Sequence, residues 1–101
     1  MLKKQYLKTR PTCKVTFRIS KDAAGSARNI YLVGEFNDWD AQATPMTPLK
    51  NGEFTTLLEL DTSQPEYQFR YLYDGNHWEN DWEADGYALN GVDGENSIVR
   101  V

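Results

Sequence analysis

Tyr67, Phe69, Tyr71 and Tyr73 recur at every second position of one stretch, with Gln68, Arg70 and Leu72 between them. A helix would spread these rings around its circumference, whereas a strand sets alternate side chains on one face. A row of four aromatics needs cover, so this strand belongs to a sheet packed against a second layer. The same period of two runs from Cys13 to Ile19, with Cys13, Val15, Phe17 and Ile19 on one side. It returns from Glu53 to Leu60, with Phe54, Thr56, Leu58 and Leu60 facing together. Asn29 to Val33 and Asn96 to Val101 read as two further strands. Turn signals separate them: Lys21 to Ser26, Asn51-Gly52, Asp61 to Pro65 and Asp74-Gly75-Asn76. Ala41 to Lys50 holds Pro45 and Pro48, which interrupt a ladder, so an extended loop is expected there, pinned by Met46 and Leu49. Short strands, frequent turns and no helical period predict an all-β antiparallel β-sandwich.

One stretch organises the functional reading. The strand ending at Val33-Gly34 gives way to Glu35-Phe36-Asn37-Asp38-Trp39-Asp40. Asn37-Asp38 favours a turn, because both side chains hydrogen-bond nearby backbone. Trp39 then stands between two aspartates, and ionised carboxylates are rarely buried unpaired. Either the indole folds back over the strand end or it meets a ligand, and the charged flanks favour the ligand.

At 101 residues, one domain is expected, with residues 1–12 as an N-terminal basic segment and 13–101 as the sandwich. A net charge of −4 argues against nucleic acid, whose phosphates need clustered Lys and Arg. Lys3, Lys4, Lys8, Arg10 and Lys14 crowd the start, where a solvated segment is favoured over an RNA or membrane arm. Cys13 is the single cysteine, so neither an intramolecular disulfide nor a cysteine metal cluster forms. The opening residues lack the apolar run of a signal peptide, no window is long enough to span a bilayer, and a cytoplasmic location is expected. With Met1 and Val101 as its ends, the module is expected to stand alone.

Catalysis finds little support. His77 is the sole histidine, and nothing in the spacing places it beside a serine and a carboxylate. Glycoside hydrolysis needs two carboxylates across a cleft, whereas Asp81, Glu83 and Asp85 read as a solvated loop. That loop opens like a calcium site, but Val92 replaces the closing glutamate at the twelfth position. No P-loop, dinucleotide fingerprint or zinc spacing is present, so no cofactor, metal or enzymatic activity is expected.

The pieces taken in order resemble a known module. They are Gly34-Glu35-Phe36-Asn37-Asp38-Trp39, Tyr67 to Gly75, Trp78 with Asn80-Asp81, and Asn96-Ser97-Ile98-Val99. They are similar to the glycogen-binding or isoamylase N-terminal domain family, also called carbohydrate-binding module family 48. That family includes the glycogen-binding domain of the AMP-activated protein kinase β subunit and the N-terminal domains of branching and debranching enzymes. The resemblance covers about Cys13 to Val101 and implies an immunoglobulin-like sandwich that binds α-1,4-glucans. It places the stacking tryptophans at Trp39 and Trp78, the basic residue at Arg70, and the asparagine that meets sugar hydroxyls at Asn96. Val92 and Gly94 stand where the kinase-type domains have a leucine and a threonine, and one extra residue, Asn76 or His77, precedes Trp78.

The chemistry of the residues agrees. A glucose ring has apolar C–H faces and a fringe of hydroxyls, which suit an aromatic platform edged by amides and charges. Arg70 lies opposite the aromatic row and is free to point outward; the alternative is an ordinary surface charge or a partner of Asp74. Trp82 has no counterpart in the family motif, and packing against its polar loop is favoured over an auxiliary sugar contact. The expected function is noncatalytic binding of glycogen-like or starch-like α-glucan. The alternative is a protein-interaction domain that docks on a glycogen-metabolism enzyme and keeps a vestigial sugar site.

Overall fold

Alternation becomes register in a computed structural model that describes residues 2–101, with Met1 outside the described residues. The strands are β1 (Leu2–Tyr6), β2 (Thr12–Ile19), β3 (Ile30–Gly34), β4 (Thr47–Pro48), β5 (Phe54–Asp61), β6 (Glu66–Tyr73), β7 (His77–Glu79), β8 (Gly86–Leu89) and β9 (Glu95–Arg100). One antiparallel sheet has the order β1-β2-β5-β4. The other runs β3-β6-β9-β8, with β7 paired to β6 beside β9. The result is the β-sandwich that the alternation predicts.

The inner faces meet as the sequence pattern requires. Cys13, Val15, Phe17 and Ile19 of β2 lie opposite Leu60, Leu58, Thr56 and Phe54 of β5. Across the layer, Tyr67, Phe69 and Tyr71 are buried, and Tyr73 packs partly buried against the same cluster. Phe17 and Phe69 cross edge to face with centroids 5.2 Å apart, which joins the two sheets. Such a pair contributes about 0.5–1.5 kcal/mol beyond its area. Phe36, just past β3, closes the same end of the core at 5.7 Å from Phe17.

Four local outcomes depart from the pattern. Residues 2–6, part of the basic segment, are an edge strand paired along β2 from Leu2↔Phe17 to Tyr6↔Cys13. Lys21–Ala24, expected as a turn, closes one helical turn, α1, capped by the Ser20 hydroxyl accepting from the Ala23 N–H. The proline-containing loop holds Met46 buried, with Leu49 only partly so, and Thr47–Pro48 adds a two-residue edge pairing to β5. Gly86–Leu89, expected as loop, pairs with β9 as an edge strand.

Gly34 ends β3 for a steric reason. Its backbone is extended, so the left-handed region is not at issue. A Cβ there would lie 2.7 Å from both the Gln68 carbonyl oxygen and the Phe69 Cβ. Replacing Gly34 with Ala should lower the unfolding free energy by about 1–3 kcal/mol, the usual cost of overpacking, as read from urea titration.

Candidate functional site

The outer face of the second sheet differs from its inner face in every row. Tyr31, Leu72 and Trp78 lie side by side across β3, β6 and β7. Val33 lies beside Arg70, and Gln68 beside Ile98. The floor beneath is dry, since Val33, Leu72 and Ile98 are buried although they face outward. Trp78 stands on this floor with 43 % of its surface exposed. A flat ring next to a dry floor suits an apolar face of a ligand that also carries hydroxyls.

Trp39 is held by the turn that follows β3. Glu35–Asn37 is a single 3₁₀ turn. The Asn37 side chain accepts from the Gly34 N–H and donates to the Leu32 carbonyl and the Thr44 hydroxyl. Asp38 and Trp39 then adopt φ of 56° and 58°, two consecutive left-handed residues without a glycine. For a bulky side chain that region is an outlier, with a cost of roughly 1–3 kcal/mol. The Trp39 N–H donates to the Gly34 carbonyl at 2.8 Å, which keeps the turn closed. A strained turn that leaves an indole 40 % exposed presents that ring to solvent and does not pack it.

Arg70 points outward as expected, yet it is braced. Its Nε and Nη2 both donate to the Glu95 carbonyl, and Nη1 donates to Asp93 Oδ2 at 2.9 Å. Its side chain is only 12 % exposed. Three of the five guanidinium N–H donors are thereby fixed. The hydrogen bond from Arg70, with a second from Asn90, holds the Asp93 carboxyl below the usual carboxylate range.

Asn96 shares the outer face with Gln68 and Ile98, but its amide is already engaged. It is buried, its Nδ2 donates to Gln68 Oε1, and its Oδ1 accepts from Asn90 Nδ2. Its observed contacts orient neighbours. A polar chain results: Glu35 accepts from the Gln68 N–H, the Gln68 side chain meets Asn96, Asn96 meets Asn90, and Asn90 meets Asp93, which holds Arg70. It runs from the Trp39 turn to the Arg70 guanidinium. Alternation sets Gln68 on the outer face, and Asn90 reads from the sequence as a tie for the long connection to the last strand, whereas nothing local marks Asp93.

Arg70 and Trp78 line one open cleft together with Asn80, Trp82, Asp93 and Glu95. Trp39 and Asn96 are not among its lining residues. Behind this cleft, Asp81 is buried and anchors the chain. Its carboxylate accepts from the Tyr71 hydroxyl at 2.7 Å and from the Glu83 N–H, and its own N–H donates to Ser97. Burial, then the Asp81 charge, pushes the Tyr71 phenol well above its usual value, so it remains a donor. The acidic loop thus uses its first carboxylate structurally. Among the described residues, no cluster of His, Cys, Asp or Glu could hold a metal ion.

An immunoglobulin-like sandwich with exposed indoles beside a braced guanidinium and amides has the build of a sugar-binding module. The chain belongs to the carbohydrate-binding module 48 family, the isoamylase N-terminal domain, whose family model matches residues 12–88. It is a noncatalytic carbohydrate-binding module. Trp39, Arg70 and Trp78 fall inside the matched region, and Asn96 lies beyond it. No curated protein matches the chain.

The Tyr71–Asp81 bond fixes the segment on which Trp78 and Trp82 converge. Tyr71→Phe leaves a buried carboxylate without one donor and should cost about 1–3 kcal/mol in urea unfolding.

Proposed function

We propose that the protein binds α-1,4-glucan, as glycogen or a starch-like polymer, on the outer face of its second sheet and recruits an associated activity to that polymer. The observation that carries this reading is the pair of presented indoles, Trp78 on the sheet and Trp39 on a strained turn. Two separate platforms suit a curved chain of sugar rings better than a flat one. Arg70 and the amide chain beside it supply fixed donors and acceptors for ring hydroxyls. Each such contact contributes on the order of 1 kcal/mol, so short oligosaccharides bind weakly. Branched polymers bind more strongly in apparent terms, because a second engagement is intramolecular.

Co-sedimentation with glycogen and amylose tests the reading on wild type, Trp39→Ala and Trp78→Ala. Both indoles are well exposed, so thermal unfolding should show the variants folded. Wild type should sediment with polymer, and each variant should lose about five- to ten-fold in apparent affinity. A wild type that ignores every α-glucan contradicts the proposal and returns the sandwich to the protein-docking reading.

A further inference from the structure

A second cleft opens between the sheets at one end of the sandwich, behind Trp82. Its volume is about 210 Å³, and its walls include Arg18, Ala23, Glu53, Tyr71, Tyr73 and Trp82. Sites for larger ligands usually enclose about 300–1,000 Å³, so this space suits one ring. Of its four charged lining residues, three already have side-chain partners, and the fourth, Glu83, is exposed. Arg18 pairs with Glu53 at 2.8 Å, and Asp81 takes the Tyr71 hydroxyl and the Glu83 N–H. Such a lining suits a neutral ligand with many hydroxyls, whereas an ion would compete with bonds already made. Tyr73 and Trp82 add aromatic surface to the same walls, with Tyr71 buried behind them.

Trp82 joins the two clefts. Asn80 and Trp82 line both the Arg70–Trp78 cleft and the inter-sheet cleft. Trp82 is 66 % exposed, more than Trp39 at 40 % or Trp78 at 43 %, so its loop does not cover it. The segment beneath it is rigid, since Asp81 is anchored to Tyr71 and Ser97, and the Tyr87 hydroxyl donates to the Asp81 carbonyl. An uncovered indole on a fixed support, shared by two clefts, is a place for a chain to turn.

We infer that a glucan chain bound against Trp78 continues over Trp82 and seats its terminal glucosyl ring in the inter-sheet cleft. This rests on the glucan reading above and adds a chain-length preference to it. Trp82 acts as the bridging platform, while Ala23, Tyr73 and the Arg18–Glu53 pair shape the end of the path.

Isothermal titration with maltotriose and maltoheptaose tests the inference on the whole chain. Wild type should bind maltoheptaose about ten-fold more tightly than maltotriose, the size of one added stacking platform. Trp82→Ala should weaken maltoheptaose much more than maltotriose. Ala23→Leu fills the inter-sheet cleft from α1 without touching the Trp78 surface. It should leave maltotriose binding unchanged and remove most of the maltoheptaose advantage. In ¹H–¹⁵N spectra, the Trp78 indole should shift with both sugars and the Trp82 indole chiefly with the longer one. If both variants keep the full advantage, or lose both sugars equally, the inference is overturned while the glucan reading stands. If wild type binds both sugars without a length preference, the inference again fails alone. If wild type binds neither, the glucan reading falls and takes the inference with it.

Discussion

The hydrogen bond from the Tyr71 phenol to the Asp81 carboxylate is where the core and the outer surface depend on each other. Tyr71 is part of the aromatic row that joins the sheets, and Asp81 lies in the segment that carries Trp82. A buried carboxylate is costly unless it is hydrogen-bonded, and here it accepts from both the phenol and the Glu83 N–H. Its backbone is held as well, to Ser97 on one side and Tyr87 on the other. The loop after β7 is therefore built on the core, and the indoles near it stand on a fixed base.

β6 divides the work of the second sheet between its two faces. Its inner row of rings supplies cohesion, and its outer row of Gln68, Arg70 and Leu72 supplies a dry floor with polar groups at fixed positions. The bracing of Arg70 by Glu95 and Asp93 leaves its side chain little rotational freedom. Trp39 belongs to the same logic of preorganisation. Two left-handed residues in succession are held by Asn37 and the Gly34 carbonyl, and the backbone cost is met by the fold.

Much of this was legible in the sequence because it depends on local pattern. Period-two alternation identified the main strands and their inner faces, and the aspartates around Trp39 marked it as unlikely core. What escaped depends on distant partners or on segments too short to show a period. β8 is four residues, two exposed and two half-buried, so no buried row announces it. α1 is one turn, and β1 buries too little to separate it from a solvated basic segment. The tether on Arg70 runs to a backbone carbonyl 25 positions away, and Asn96 is buried by residues from other strands. Trp82 was expected to pack on its loop, but Asp81 turns inward there and leaves the indole outside.

The central claim is that the outer face of the second sheet is the sugar-facing surface. A crystal structure of the protein grown with maltoheptaose tests it most directly. The account predicts a sugar ring stacked on Trp78 and a hydroxyl within hydrogen-bond distance of Arg70. A sugar seated on the first sheet, or along the exposed edge of β8 with Trp78 left bare, would contradict it.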